Sequence, residues 1–377
     1  MITVVAGTRP NFMKVAPVHR ALEKRGLEVR LIHTGQHFDA AMSDVFFRDL
    51  GLPSPSVRLH AGGGTQAEQT AAALLGIETD LALHRPSLVV VVGDVTSTLA
   101  GALAAAKLGV PVAHVESGLR SRDWTMPEEI NRIVTDHLAD LLLTSCRDAK
   151  PNLLAEGIPS ERIVFVGNVM IDSMHHARRH ETGILARYQL EPGAYAVATL
   201  HRPVNVDTAA ALGATIDALA SIARQIPLVF PVHPRTLARA ATLGLSARLK
   251  ETPGLQTIDP LGYDDFVTLM ASAKLVATDS GGIQEETTAL GIPCLTLRDG
   301  TERPVTVLVG TNVITGLDPA RIEHEVGEIL AGRGKRGEVP EGWDGESGER
   351  VAEALLAFLA GWPAARSVMT AKTSPSR

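Results

Sequence analysis

Short apolar segments alternate with amphipathic segments along most of the 377-residue chain. The short segments have the length and composition of buried strands, and longer stretches with a helical spacing of apolar positions separate them. In the first half, strands are predicted at Ile2–Ala6, Glu28–Thr34, Leu88–Val92, Val110–Val115 and Leu141–Thr144, and helices at Phe12–Lys24, Gln66–Leu83, Ser97–Leu108 and Pro127–His137. This alternation predicts a parallel sheet with helices on both faces.

The same alternation starts again after Ile163–Val166. Further strands are predicted at Ala194–Thr199, Leu228–Val232, Leu255–Ile258, Lys274–Thr278, Cys294–Leu297 and Val313–Thr315. A chain of this length exceeds what one hydrophobic core usually supports, so we expect two doubly wound α/β domains that face a cleft. The expected limits are residues 1–168 and 169–346, with a helix at about 347–362 that packs back on the first domain and a flexible tail at 363–377.

Composition and charge narrow the class of protein. A hydrophobic content of 45% with 21% charged residues is typical of a soluble globular protein. The net charge of −6 argues against a nucleic-acid-binding protein, so an anion site must be a local group of cations. No apolar run approaches the roughly 18 residues that span a membrane. Two distant cysteines and an N-terminus without a leader segment predict a reduced, cytoplasmic protein.

The stretch Asp279-Ser-Gly-Gly-Ile-Gln-Glu-Glu286 is predicted to join a strand to a helix. Its first two residues can cap the helix, and its two glycines let a ligand approach the N–H groups of the first turn, which favour an anion. The two glutamates follow about one turn later, where a carboxylate can accept hydrogen bonds from ribose hydroxyls. A phosphate or pyrophosphate is the expected ligand. The alternative is a well-capped helix with acids in its first turn.

Polar side chains also follow the predicted strands of the first half, where ligands of such sheets bind. The loop after the first strand lacks both the dinucleotide fingerprint and the P-loop pattern, so neither a nicotinamide cofactor nor P-loop hydrolysis is predicted. Arg9 and Lys14 can form a diphosphate clamp there, or they are solvated surface charges. Asp94 is either a helix cap or a catalytic acid. Because Glu116 ends the next strand, two carboxylates are expected in one crevice.

Other candidates lie on a helix and in the second half. Glu128 and Arg132 are four residues apart, so they can form a buried pair that directs the acid inward, although acids in a first helical turn are also an ordinary stabilising feature. His201 and His233 follow strands, and Arg303 adds a cation after another strand. No cysteine or histidine spacing fits a metal site, so neither a metal nor another cofactor is predicted.

Taken together, these segments resemble the non-hydrolysing UDP-N-acetylglucosamine 2-epimerases. The resemblance rests on Gly7-Thr-Arg-Pro, Gly93-Asp, His114-Val-Glu-Ser-Gly-Leu-Arg, Pro127-Glu-Glu-Ile-Asn-Arg, Pro231-Val-His, the stretch from Asp279 to Glu286, and Thr301-Glu-Arg-Pro, in the family's order over about residues 1–360. It implies a glycosyltransferase-B fold, a homodimer, and interconversion of UDP-N-acetylglucosamine with UDP-N-acetylmannosamine for surface polysaccharides. It further implies that the catalytic residues are Asp94, Glu116, Glu128 and His201, and that the substrate-binding residues are Arg9, Lys14, Arg132, His233, Phe266, Ser280, Gly281, Gly282, Glu286 and Arg303.

The reaction implied by the resemblance explains the need for such residues. The hydrogen at sugar C2 becomes acidic only as UDP leaves C1, so the expected intermediate is a 2-acetamidoglucal formed with general acid–base help. Which carboxylate is the base stays open. The chain departs from the family at Asn11-Phe12-Met13, Asp39, His201-Arg-Pro-Val204 and Leu261. These departures argue against activation by a second substrate molecule and leave room for a sugar modified at C3 or C6. The alternatives are a hydrolysing epimerase, a retaining glycosyltransferase and a UDP-sugar-binding module without catalysis.

Overall fold

The computed structural model describes residues 1–35, 47, 50–180 and 182–361, and the side chain of Arg9 is outside this description. The chain divides into two compact units, Met1–Ser173 together with the chain from Glu341 on, and Met174–Pro340. The divisions fall a few residues from the predicted domain limits, which stay a prediction. The departure at Asp39 and the tail at 363–377 lie outside the described residues.

The first unit is built on one parallel sheet. Its strands are β1 (Ile2–Ala6), β2 (Val29–His33), β3 (Val57–Arg58), β4 (Leu88–Val92), β5 (Val112–Val115), β6 (Leu141–Thr144) and β7 (Ile163–Phe165). Its helices are α1 (Arg9–Lys24), α2 (Gln66–His84), α3 (Thr96–Lys107), α4 (Pro127–Leu138), α5 (Ala149–Ala155) and the start of α6 (Val169–Ala177). The strand order is β3-β2-β1-β4-β5-β6-β7. All five residues of β4 are fully buried, as its continuous apolar run predicts.

The second unit repeats this architecture with six strands in the described residues. They are β8 (Ala196–Thr199), β9 (Leu228–Pro231), β10 (Leu255–Ile258), β11 (Leu275–Thr278), β12 (Cys294–Thr296) and β13 (Asn312–Ile314), in the order β10-β9-β8-β11-β12-β13. Its helices are α7 (Ile184–Arg187), α8 (Pro203–Val206), α9 (Ala209–Ala223), α10 (Pro234–Thr242), α11 (Ser246–Glu251), α12 (Tyr263–Ala271), α13 (Gly281–Leu290), α14 (Pro304–Leu308) and α15 (Pro319–Leu330). The predicted class of two doubly wound α/β domains is confirmed.

The last described helix, α16 (Ser347–Gly361), packs against α1 within the first unit. A Cβ added to Gly348 would lie only 2.7 Å from the carbonyl oxygen of Pro17, so the small residue permits this close approach. The carboxylate of Asp172 accepts the N–H groups of Ser347 at 3.1 Å and Gly348 at 2.6 Å. Burial raises the pKa of Asp172 to about 6. None of the described helices combines the length and apolar character needed to cross a membrane.

In both sheets the strand order reverses beside the first strand of the unit. The reversal lies between β1 and β4 in the first unit and between β8 and β11 in the second. Doubly wound sheets bind ligands outside the carboxyl ends of the strands at this point. The loops found there carry Gly93-Asp94 in the first unit, and His201 and Asp279 in the second. The fold therefore places Asp94 and His201, two of the predicted site residues, where a ligand is expected.

Candidate active site

Glu116 and Lys14 form a buried ion pair at the carboxyl end of β5. Lys14 Nζ lies 2.7 Å from Glu116 Oε1, and the glutamate side chain is only 2% exposed. Glu116 has a φ of +70°, a left-handed conformation that is uncommon for a residue with a side chain. A Cβ on Gly93 would lie 2.9 Å from Lys14 Nζ, so the glycine makes room for the ammonium group. Lys14 thus faces a carboxylate, in addition to the diphosphate role expected for it.

Helix α4 holds the second candidate acid, Asp94. The guanidinium of Arg132 bonds to Oδ2 of Asp94 and to Oε2 of Glu129. Asn131 Nδ2 donates to the backbone carbonyl of Asp94 at 2.9 Å. These two consecutive residues of α4 hold both the backbone and the carboxylate of Asp94. The structure therefore brings Asp94 and Arg132 together, as two of the predicted site residues.

The prediction of a buried pair between Glu128 and Arg132 is wrong, because the acid that pairs with Arg132 is Glu129. The buried carboxylate beside Arg132 is Glu129, which is 1% exposed, whereas Glu128 is only half-buried. Glu129 also accepts the backbone N–H groups of Ser121 at 2.9 Å and Arg122 at 2.8 Å. Burial alone would raise the pKa of Glu129, but these N–H groups and Arg132 lower it. The spacing of three residues, not four, selects the partner on the inner face of α4.

His114 and Asp136 form a buried polar cluster close to these acids. The sequence analysis did not select either residue as a site candidate. His114 Nδ1 is 2.7 Å from Asp136 Oδ1, and His114 Nε2 is 2.7 Å from the Gly93 carbonyl oxygen. Asp136 Oδ2 accepts the Gly118 N–H at 3.1 Å and pairs with Arg120 at 2.8 Å. Both His114 and Asp136 have fully buried side chains. This group joins the loops that follow β4 and β5.

In the second unit, Asp279 organises the loop that carries His201. Its carboxylate accepts the N–H of His201 at 3.1 Å, the N–H of Arg202 at 2.9 Å and Asn205 Nδ2 at 3.1 Å. The expectation that Asp279 and Ser280 cap α13 is therefore wrong. Ser280 is the N-cap residue but its side chain makes no capping bond, and Asp279 turns to the neighbouring loop instead. The N–H groups of the first turn of α13 keep no side-chain cap from these two residues.

Cations and a second carboxylate surround the start of α13. A Cβ added to Gly281 would lie 2.7 Å from Glu302 Oε1, so this glycine is needed for the carboxylate to pack against the helix. Glu302 bonds to Arg202 at 3.0 Å and to Arg298 at 2.8 Å. Burial alone would raise the pKa of Glu302, but Arg303, Arg202 and Arg298 lower it to about 2. Three arginines thus gather beside the start of α13, where Glu302 pairs with two of them.

Arg303 and Glu286 lie on either side of Glu285. Arg303 Nε is 3.0 Å from Glu285 Oε1, and both side chains are buried. The hydroxyl of Tyr263 donates to Glu286 Oε1 at 2.6 Å. Burial and the charge of Glu285 raise the pKa of Glu286 to about 7, although the Tyr263 bond opposes the shift. Phe266, on the same helix as Tyr263, is half-buried.

The two candidate histidines lie side by side. The rings of His201 and His233 are 5.9 Å apart between centroids. His233 Nδ1 accepts the N–H of Arg235 at 3.2 Å and so caps α10, and His201 Nδ1 lies 3.3 Å from Asp279 Oδ1. The side chain of His201 is 46% exposed. The second unit therefore brings His201 and His233 together on the surface of its strand-end loops.

Comparisons with known proteins identify the family of the chain. A family model described as UDP-N-acetylglucosamine 2-epimerase matches residues 20–356. The UDP-N-acetylglucosamine 2-epimerase of Methanocaldococcus jannaschii is 41% identical over 362 residues, covering 94% of this chain and 98% of the relative. A UDP-2,3-diacetamido-2,3-dideoxy-D-glucuronate 2-epimerase of Pseudomonas aeruginosa is 43% identical over 320 residues, covering 84% of this chain and 88% of the relative.

A solved structure extends the likeness to the fold. The crystal structure of the M. jannaschii UDP-GlcNAc 2-epimerase in complex with UDP-GlcNAc and UDP matches with a TM-score of 0.87 at 40% identity. The match covers 94% of this chain and 99% of that chain. Two parallel-sheet α/β domains of the glycosyltransferase-B type are thus the class that the fold defines. Within that class, the chain belongs to the UDP-N-acetylglucosamine 2-epimerase family.

Proposed function

We propose that this protein interconverts UDP-N-acetylglucosamine and UDP-N-acetylmannosamine by eliminating UDP to a 2-acetamidoglucal and adding it back. The observation that carries the proposal is the pair of carboxylates at the carboxyl ends of β4 and β5, next to the strand order reversal of the first unit. Asp94 and Glu116 end adjacent strands, β4 and β5, and each is held by a cation from a neighbouring helix. General acid–base catalysis of a C2 epimerisation needs carboxylates in such a position.

The second unit supplies groups that suit the leaving diphosphate and the ribose. Helix N–H groups at Ser280–Gly282 and the guanidinium of Arg303 stabilise the negative charge that develops on UDP. Glu286 is assigned to the ribose hydroxyls, and His233 and Phe266 to further nucleotide contacts. We keep Glu128 and His201 as catalytic candidates because both lie beside the strand-end loops. Lys14 and Arg132 are assigned to the substrate as well as to the acids that they contact.

The proposal is tested by turnover in heavy water. Deuterium should enter C2 of the recovered UDP-sugar while little free UDP accumulates, because the elimination reverses before UDP is lost. Steady release of UDP with an equal amount of N-acetylmannosamine would instead identify a hydrolysing epimerase. Binding of UDP without any exchange at C2 would identify a UDP-sugar-binding module. The same sample distinguishes all three results by NMR of the sugar and an assay for free UDP.

A related substrate is the second candidate. The P. aeruginosa relative, named for a UDP-2,3-diacetamido sugar acid, matches this chain at 43% identity. His201-Arg-Pro-Val204 differs from the pattern expected of regulated UDP-N-acetylglucosamine epimerases, and Leu261 is a further departure from the family pattern. Side-by-side measurement of kcat/KM for the two UDP-sugars decides between them. A larger value for the diacetamido uronate would replace the first substrate while leaving the reaction type unchanged.

A homodimer is supported by exposed apolar side chains on the first unit. Helices α2 and α4 both pack against α3, and large hydrophobic residues are exposed along or beside them: Leu75, Leu83, Trp124, Ile130 and Val134. A group of such residues in one helical layer is typical of a protein–protein contact. Light scattering should give twice the chain mass, and Leu75→Asp with Ile130→Asp should give monomers. Leu308→Asp, on an exposed position of the second unit, is the matched control and should leave the dimer intact.

A further inference from the structure

A buried chain of hydrogen bonds joins the loops after β4 and β5. It runs from the carbonyl of Gly93 to His114 Nε2, from His114 Nδ1 to Asp136, and from Asp136 to the N–H of Gly118, with distances of 2.7, 2.7 and 3.1 Å. The loops that it joins carry the two acids that end adjacent strands. A backbone hydrogen bond from the Gly93 N–H to the Val115 carbonyl at 3.0 Å also joins the two segments, and His114 adds a side-chain bond that reaches the opposite side of the same peptide chain, the Gly93 carbonyl.

The chemistry of the partners sets the direction of each bond. A backbone carbonyl can only accept, so Nε2 of His114 must carry the hydrogen that it shares with Gly93. Asp136 is a carboxylate: burial alone would raise its pKa, but the charges of His114 and Arg120 lower it. Its oxygens accept from the ring, from the Gly118 N–H and from Arg120. Since both ring nitrogens are bonded in a site without water access, the imidazole is held in one orientation.

We infer that His114 is a positioning residue for the epimerisation, because its Nε2–H bond to the Gly93 carbonyl sets where Asp94 stands relative to Glu116. The inference rests on the proposed function of those two acids. The carbonyl of Gly93 belongs to the peptide that links it to Asp94, so a rotation of this peptide moves the Asp94 side chain. Glu116 follows two residues after His114 at the end of the same strand.

The other contacts of the two acids do not replace this bond. Asp94 is held by Asn131 and Arg132 from α4. Glu116 is held by Lys14 from α1. Each of these contacts fixes one acid against a helix, whereas His114 fixes one loop against the other. Displacements of about 1 Å in a catalytic group can lower a rate about a hundredfold, so the separation of the acids matters for turnover.

Two amide variants of His114 separate its two hydrogen bonds. In His114→Gln the side-chain nitrogen occupies the place of Nε2, so the donor to the Gly93 carbonyl is kept and the contact with Asp136 is lost. In His114→Asn the nitrogen occupies the place of Nδ1, so the donor to Asp136 is kept and the Gly93 contact is lost. Both variants are neutral amides of similar size. Each is therefore the control for the other in stability.

The kinetic prediction is an asymmetry between the variants. We expect kcat to fall about a hundredfold in His114→Asn and less than about tenfold in His114→Gln, with KM changed by no more than about threefold in either. Equal losses of kcat at equal melting temperature, or a greater loss in His114→Gln, would overturn the inference. If wild-type enzyme fails to exchange the C2 hydrogen at all, the proposed function fails instead.

Two further measurements decide the matter if neither amide variant folds. Nitrogen-15 NMR of histidine-labelled wild-type enzyme should show a buried ring whose Nε2 carries a slowly exchanging hydrogen, and an unprotonated Nε2 would overturn the inference whatever the activity. Asp136→Asn can donate to Nδ1 and accept from the Gly118 N–H, so the ring keeps its bond to Gly93. This variant should retain kcat within about tenfold, and a hundredfold loss would contradict the role assigned to the ring.

Discussion

The candidate sites of the two units differ in the partners of their carboxylates. In the first unit, Asp94 and Glu116 each contact a cation, Arg132 and Lys14 respectively, at the ends of central strands. In the second unit, Glu286 is buried like Glu116 but faces a phenol, Tyr263, and its neighbour Glu285 adds a like charge. Paired carboxylates stay ionised and fixed in place, whereas a buried carboxylate without such a cation holds its proton to higher pH. The candidate site of the first unit therefore holds its acids in fixed ion pairs, whereas the candidate site of the second unit contains a carboxyl group, Glu286, whose pKa is raised to about 7.

The largest expected effect is a loss of kcat when the carboxylate of Glu116 in the first unit is replaced by an amide. Glu116→Gln should lower kcat by about a thousandfold while UDP affinity stays nearly unchanged, because general acid–base groups contribute to the transition state and Glu116 itself is assigned no nucleotide contact. Steady-state kinetics and calorimetric titration with UDP give the two quantities. Glu341→Gln, which alters an exposed pair with Arg147, is the control and should behave as wild type. A large loss of UDP affinity with preserved turnover would make Glu116 a nucleotide-binding residue.

The next largest effect is expected when the cation of Arg303 in the second unit is removed. Arg303→Met should weaken UDP binding about a hundredfold and lower the free energy of unfolding by about 3 kcal/mol, because Glu285 loses the guanidinium 3.0 Å away. Arg333→Met breaks the exposed pair with Glu328 and should cost less than about 1 kcal/mol.

A double variant separates the two roles of Arg303. Adding Glu285→Gln to Arg303→Met removes the unpaired carboxylate, so denaturant unfolding should return toward the wild-type midpoint while UDP affinity stays low. Recovery of UDP affinity together with stability would mean that Arg303 acts only by supporting the fold.

The comparison also separates what the sequence could predict from what it could not. The elements and the strand-end residues follow from local patterns, and the apolar run Leu88–Val92 is the central strand β4. Partners of buried side chains depend on register across elements far apart in sequence. Glu129 replaces Glu128 beside Arg132 because the turn of α4 presents a spacing of three residues to the core. Asp279 turns to the His201 loop, 78 residues away, and this contact has no local signature.

Several residues that contact the candidate site were not predicted, because their roles depend on partners far away in the sequence. His114 stands inside one of the family-like motifs, yet its role depends on Asp136, which lies 22 residues further along on another element. Glu302 stands beside Arg303 in Thr301-Glu-Arg-Pro, and its contact with Gly281 appears only once the loop is folded. Tyr263 simply begins a helix, and nothing in its surroundings indicates a buried carboxylate partner. The positions of candidate residues at strand ends are therefore predictable from sequence, whereas the residues that contact them in the fold are not.

A smaller effect is expected in the pH dependence of stability, because the pKa of Glu286 is raised in the folded protein. The folded-state pKa of Glu286 is raised to about 7, so the folded protein binds a proton that the unfolded chain releases above its ordinary value of 4.5. Its contribution to stability is therefore fully present below pH 4.5 and is lost as pH rises to about 7. Glu286→Gln does not titrate, so it should gain about 3 kcal/mol on wild type between pH 4.5 and 8 in denaturant unfolding.

Glu302 should affect the pH dependence of stability in the opposite direction, and Glu302→Gln tests this. The pKa of Glu302 is lowered to about 2, so its contribution is present above its ordinary value of 4.5 and is lost only as pH falls toward 2. The stability difference between Glu302→Gln and wild type should therefore stay constant from pH 5 to 8. A constant difference for Glu286→Gln over the same range would contradict the contrast between the paired and unpaired carboxylates.

The smallest expected effect concerns the phenol beside Glu286. Tyr263→Phe removes the hydroxyl that bonds to Glu286 Oε1 at 2.6 Å, which should lower the free energy of unfolding by about 1 kcal/mol. Tyr195→Phe is a matched control, because its buried hydroxyl donates to the carbonyl of Leu269, also at 2.6 Å, and should cost a similar amount. The Tyr263 bond lowers the pKa of Glu286, so its loss should move the midpoint of pH-dependent UDP binding upward in Tyr263→Phe alone. Equal midpoints in the two variants would show that Tyr263 supports only the fold and leaves the pKa of Glu286 unchanged.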